Sequence, residues 1–165
     1  MDKIVTAAPE LAGKTVPGYG KGLTYESNDA LTRMGSKQIL IAEQALDPST
    51  QTWMTGPPDR GARAVRHETG HALTFIHEMH LDPDIVAAWT RERQALLKYD
   101  TSQWSDRKRQ VFDYVTQDYP SGLLETIGEL YAQLRGGGTG DELEVASFYP
   151  ETAKALKKLF ERLKI

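Results

Sequence analysis

The sequence predicts an α+β protein that is mostly helical and carries a small mixed sheet. Two observations support this fold class. Apolar residues recur at three- and four-residue spacing after residue 59, which is the period of an amphipathic helix. Before that point, the β-leaning run Gln38 to Ala42 is closed by Asp47-Pro48 and indicates a strand. A length of 165 residues fits one domain with one core.

The single domain over residues 1–165 is expected to have two parts. Residues 1–58 form a loop-rich N-terminal part with short strands, because turn-forming residues dominate it. A short helix is the alternative for the predicted strand at 38–42. Residues 59–165 form a helical part.

Composition narrows the function classes. The chain is 39 % hydrophobic and 26 % charged, and its formal net charge is −3, which is typical of a soluble globular protein. We expect a monomer with no nucleic-acid and no membrane partner, because no basic surface and no long apolar run is present. The N-terminus lacks the apolar stretch of a signal peptide, although the absence of cysteine would suit an exported or translocated protein. Without cysteine, a zinc ion must be bound by histidine and carboxylate.

Five helices are predicted, over about residues 60–80, 82–99, 105–116, 121–135 and 150–164. Asp82 and Ser105 are placed to cap the second and third helices, and Ser121 the fourth. The first and last helices each carry an apolar stripe that should be buried. The stripe residues are Val65, Ala72, Phe75, Ile76 and Met79 in the first helix, and Ala155, Leu156, Leu159, Phe160 and Leu163 in the last.

The first helix carries the motif HExxH at His67-Glu68-Thr69-Gly70-His71. Four residues advance a helix by about 400°, so His67 and His71 lie about 6 Å apart along one face and can bind one metal ion. Glu68 lies about 100° around the helix, where its carboxylate can contact a water on that metal. Two histidines that are satisfied in a helix without metal are the alternative.

Catalytic zinc is held by three protein groups, so the two histidines need a third ligand. Residue spacing alone leaves two candidates for it. His77 would give HExxHxxTxxH, but Thr74 resists the sharp turn that a glycine makes there in similar patterns. Glu125 is the stronger candidate. It lies one helical turn before Glu129 on a helix with an apolar stripe, so one carboxylate could bind zinc while Glu129 accepts the outer N–H of a ligating histidine. A solvated helix edge is the alternative.

The sequence resembles the anthrax lethal factor-type metallopeptidases, to which the Pro-Pro endopeptidases are similar. The resemblance rests on the HExxH motif, on the ExxxE pair of Glu125 and Glu129 followed by Leu130-Tyr131-Ala132, and on the closing helix after Tyr149-Pro150-Glu151-Thr152. It implies a zincin-like fold in which the small sheet packs on the active-site helix.

Carried onto this chain, the resemblance implies a zinc ion on His67, His71 and Glu125. It makes Glu68 the general base and Glu129 a residue outside the ligand set that orients a ligating histidine. The family also has a tyrosine that stabilises the oxyanion shortly before the glutamate ligand. Asp118 stands at that position here, so we select Tyr119, one residue closer, with Tyr114 as second choice.

The function that follows is a zinc-dependent endopeptidase that cleaves a protein or peptide with a zinc-activated water. It would suit a secreted or translocated toxin or effector. Two other hypotheses are a non-catalytic zinc-binding interaction domain that retains the zincin fold, and an HExxH regulatory protease that cleaves a repressor.

Overall fold

The computed structural model describes residues 3–7, 30–33, 38–42, 44–47, 52–55, 58–136 and 145–165. The loops predicted between the N-terminal strands lie outside these residues. Within them there are five short strands followed by six α-helices and one 3-10 turn. The strands are β1 (Lys3–Ala7), β2 (Ala30–Arg33), β3 (Gln38–Ala42), β4 (Gln44–Asp47) and β5 (Thr52–Thr55). The helical elements are α1 (Pro58–Ile76), the 3-10 turn (Met79–Leu81), α2 (Pro83–Leu96), α3 (Asp106–Val115), α4 (Ser121–Leu134), α5 (Val145–Phe148) and α6 (Pro150–Leu163).

The strands pair in two small groups. β3 lies between β1 and β2, parallel to β1 and antiparallel to β2, while β4 and β5 form a separate antiparallel pair. β3 occupies the run Gln38 to Ala42 for which the sequence predicts a strand. Its residue Ile39 is fully buried.

The predicted α+β class, with a small mixed sheet as the packing layer of the active-site helix, is wrong. Residues 58–136 and 145–165 contain no strand, and 75 % of them are helical. The main packing partner of α1 is α4. The buried hydrophobic core cluster of the described residues contains no strand residue. The physical reason is that α2, α4 and α6 carry apolar stripes that bury one another, so the core closes helix on helix.

The centre of the core is α4. Leu123, Ile127 and Leu130 on this helix are fully buried and pack in one cluster with Trp89 of α2 and Leu156 of α6. The length and composition of the described helices are insufficient for any of them to cross a lipid bilayer.

Two of the predicted helix starts are confirmed and one is wrong. Asp82 accepts hydrogen bonds from the backbone N–H groups of Asp84 and Ile85 at 3.1 and 3.3 Å. Ser105 accepts one from the Lys108 N–H at 3.2 Å. Ser121, in contrast, is the first residue of α4, and no side chain caps that helix.

The stripe of the last helix is confirmed, but that of the first helix is only partly buried. Ala72 and Met79 are buried, whereas Phe75 and Ile76 are 41 % and 56 % exposed. The buried face of α1 instead carries polar and small residues, among them His67, Glu68, Gly70 and Thr74. Hydrophobic periodicity fails here because the face that packs on α4 is also the face that carries the HExxH motif.

Candidate metal centre

The close packing of α1 on α4 brings the two glutamates of α4 to the two histidines of α1. The helices approach at a pair of glycines. A Cβ added at Gly70 would lie 3.0 Å from the Gly128 Cα and 3.0 Å from the Tyr131 Cβ. Backbone therefore faces backbone at this crossing, and short distances between polar side chains of the two helices become possible.

Three side-chain atoms converge at the crossing. The Nε2 atoms of His67 and His71 are 2.9 Å apart, and each lies 3.2 Å from the Glu125 Oε2. Of the residues that the structure describes, these three form the group that could hold a metal ion, with their ligand atoms within 4.8 Å of one another. The structure thus brings together the ligands that the sequence predicts.

The donor set fits zinc. Two imidazole nitrogens and one carboxylate oxygen are a common catalytic zinc ligand set. Ligands about 2.0–2.1 Å from a tetrahedral ion are about 3.3 Å from one another, close to the separations of 2.9–3.2 Å seen here. An ion could be accommodated with small side-chain movements and an open fourth position.

The His67 ring is oriented by a chain of charged groups. Its Nδ1 lies 3.1 Å from the Glu129 Oε1, and the Glu129 Oε2 lies 3.2 Å from the Arg63 guanidinium. A carboxylate at Nδ1 favours a proton on that nitrogen, so Nε2 is the nitrogen that would bind a metal ion. Glu129 therefore occupies the supporting position that the sequence predicts.

The electrostatic field of the site favours positive charge at the histidines. Burial alone would lower the pKa of His67, but the carboxylates of Glu125 and Glu129 outweigh it and raise the pKa to about 10. Burial would raise the pKa of Glu125, yet hydrogen bonds from His67 and His71 hold it well below its usual range. The pKa of Glu129 is lowered against its burial by His67 and Arg63. A metal cation carries the charge that this field favours.

Two further groups lie beside the three converging atoms. Glu68 is buried, and its negative charge contributes to raising the pKa values of both His67 and Tyr114. The Tyr114 ring stacks on His67 with centroids 6.4 Å apart, and the Glu125 carboxylate is close enough to influence its hydroxyl group electrostatically. Burial, and then the charge of Glu125, raise the pKa of Tyr114 well above its usual range.

Tyr119 and His77 lie elsewhere. Tyr119 is 50 % exposed, its hydroxyl lies 3.5 Å from the His80 carbonyl oxygen, and its ring contacts Trp89. His77, the alternative third ligand, is exposed and does not belong to the metal-binding group. The structure therefore places Tyr114, and not the first-choice Tyr119, beside the predicted ligands.

Sequence reasoning missed Arg63 and Gly128. Arg63 precedes His67 by one helical turn, and its contact with Glu129 spans two helices. Gly128 lies against the His67 ring. The available signal was a glycine in the middle of an apolar helix, which costs stability and indicates a close approach.

Comparisons of the chain with protein-family models, with curated proteins and with solved structures found no match. The resemblance to the lethal factor-type metallopeptidases consequently stays a prediction.

Proposed function

We propose that this protein is a zinc-dependent endopeptidase that hydrolyses a protein or peptide substrate. The observation that carries the proposal is the convergence of the His67, His71 and Glu125 ligand atoms, with the buried Glu68 beside them. A metal-binding triad alone is compatible with a structural role. A carboxylate that is close to the triad but outside it is what hydrolytic chemistry requires.

His67, His71 and Glu125 would hold the ion and would contribute three protein ligands, as in catalytic zinc sites. A zinc ion bound there would polarise a carbonyl group and lower the pKa of water to about 7. His67 would contribute its Nε2, because the Glu129 carboxylate lies at Nδ1 and favours a proton there.

Glu68 serves as the general base in this proposal. It follows His67 directly, so its side chain projects about 100° away from that ligand and is not itself in the metal-binding group. Its carboxylate accepts a proton from the attacking water and returns the proton to the departing amine nitrogen.

Tyr114 is the proposed hydrogen-bond donor to the oxyanion. Its raised pKa keeps the hydroxyl protonated at neutral pH, and its position beside Glu125 directs it toward the metal centre. The side chain is 42 % exposed, so a substrate can reach it. Preorganised donors of this kind contribute about 3 kcal/mol to the transition state.

The test is the substitution Glu68→Gln in the full chain. We expect the variant to keep about one equivalent of zinc and to lose cleavage of a degenerate peptide library by several orders of magnitude. Glu161→Gln is the matched control, since Glu161 is an exposed glutamate on α6 that loses the same charge. It should cleave like the wild-type protein.

Two results would overturn the proposal in different ways. Cleavage that survives in Glu68→Gln would show that Glu68 is not the base. A wild-type protein that binds zinc tightly but cleaves no peptide of the library would identify the metal as structural, as expected for a non-catalytic binding domain.

A further inference from the structure

We propose that Gly128 is a positioning residue for the metal centre: the absence of a side chain at this point of α4 creates the seat in which the His67 imidazole lies. The inference rests on the proposed metal site. It goes beyond it, because Gly128 neither binds metal nor touches substrate.

The three atoms nearest to a Cβ built at Gly128 all belong to the His67 ring. A Cβ built at Gly128 would lie 2.9 Å from the His67 Cε1, 3.1 Å from its Nδ1 and 3.1 Å from its Nε2. These are the three atoms at the outer edge of the imidazole, and all three are closer than ordinary contact distance, which begins at 3.4 Å. A methyl group would therefore press on the ring itself.

The ring, and not the backbone, is the part that can yield. The neighbour of Gly128 in the chain, Ile127, is fully buried in the core and fixes the position of α4. The imidazole is the end of a side chain that can rotate about its χ angles. Relief of the closest contact requires a shift of about 0.5 Å, which is the tolerance within which functional groups must be held.

A shift of that size disrupts both contacts of the ring. The His67 Nε2 would leave its place 3.2 Å from the Glu125 Oε2 and 2.9 Å from the His71 Nε2. The Nδ1 would leave its place 3.1 Å from the Glu129 Oε1. Because metal–ligand distances are tolerated only within about 0.2 Å, metal affinity is the property most sensitive to this residue.

The experiment is Gly128→Ala in the full chain, with zinc affinity measured by competition with a chromophoric chelator at pH 7. We expect binding to weaken by about 10- to 100-fold, the usual effect of disturbing the support of a ligating histidine. The melting temperature of the metal-free variant should change little, since alanine is a better helix former than glycine by about 1 kcal/mol and this gain offsets strain at the ring. A residue with a merely structural role would show the opposite pattern.

Ala132→Gly is the matched control. It lies one helical turn further along α4, is buried and contributes no atom to the metal-binding group. This variant should melt at a lower temperature and bind zinc with the wild-type affinity. It separates a general loosening of α4 from displacement of the ring.

A second readout keeps the inference independent of the metal. In the metal-free protein, the Cε1–Hε1 NMR resonance of His67 should move in Gly128→Ala, while that of His77 stays in place. If the wild-type protein binds no zinc, the proposed function is wrong, and this resonance alone decides the inference. Zinc affinity within twofold of wild type together with an unmoved His67 resonance overturns the positioning role.

Discussion

Glu92 on α2 caps the N-terminus of α6, although it does not belong to that helix. Its carboxylate accepts hydrogen bonds from the Glu151 N–H at 2.7 Å, the Thr152 N–H at 3.0 Å and the Thr152 hydroxyl at 2.6 Å. Tyr149, which precedes the helix, supplies no side-chain cap. Glu92 thus satisfies backbone donors that an N-cap aspartate or serine would normally satisfy.

The substitution Glu92→Ala should therefore destabilise the protein. Loss of an N-cap costs about 0.5–2 kcal/mol, and loss of a negative charge at the positive end of a helix costs about 0.3–1 kcal/mol. Thr152 is fully buried, so water replaces its lost partner poorly, and the upper half of the combined range applies. We expect a decrease of about 2–3 kcal/mol in the free energy of unfolding, or about 4–12 °C in melting temperature.

Urea and thermal unfolding of the metal-free protein measure this effect. Glu161→Ala, an exposed glutamate on α6, is the matched control and should change the free energy of unfolding by less than about 0.5 kcal/mol. Glu92→Gln should fall between the two variants, because its amide retains one acceptor. Unfolding curves of Glu92→Ala and Glu161→Ala that coincide would refute the capping role.

The remaining predictions concern buried polar groups and the oxyanion donor. Burial raises the pKa of Tyr149 to about 12, so its contribution to stability is complete below pH 10 and is lost as pH rises through 12. Over that interval the free energy of unfolding of wild type should fall by about 2–3 kcal/mol more than that of Tyr149→Phe. Parallel alkaline unfolding curves of the two proteins would contradict this. The Thr126 hydroxyl oxygen accepts a hydrogen bond from the Trp89 Nε1–H at 3.1 Å, so Thr126→Val leaves a buried N–H unpaired. The free energy of unfolding in urea should fall by about 1–3 kcal/mol, and a decrease below about 0.5 kcal/mol would count against this hydrogen bond. Tyr114→Phe should lower kcat by about 10²–10³ with unchanged zinc affinity, and unchanged kcat would remove Tyr114 from the mechanism.

Local signals in the sequence predicted local features of the structure. The caps at Asp82 and Ser105 were predictable because an N-cap requires only a short polar side chain and the backbone N–H groups two or three residues later. The convergence of His67 and His71 likewise follows from helical geometry, which places residues four apart on one face.

Features that depend on the packing of distant elements could not be predicted from the pattern. Apolar periodicity did not identify the packing face of α1, because that face carries the polar HExxH residues, and it did not predict that α4 is the main packing partner of this helix. Nearness in sequence to Glu125 favoured Tyr119, whereas the packing of α3 along α4 brings Tyr114 to the site. The contact between Gly128 and His67 depends on how closely two helices approach, which hydrophobicity does not encode.

The metal centre is tested by the zinc content of the initially metal-free protein after equilibration with micromolar zinc and removal of the excess. We expect one equivalent in wild type and in His77→Ala, and a large loss in His71→Ala and Glu125→Ala. A wild-type protein that takes up no zinc, or a Glu125→Ala variant that retains a full equivalent while His77→Ala loses it, would contradict the metal centre described here.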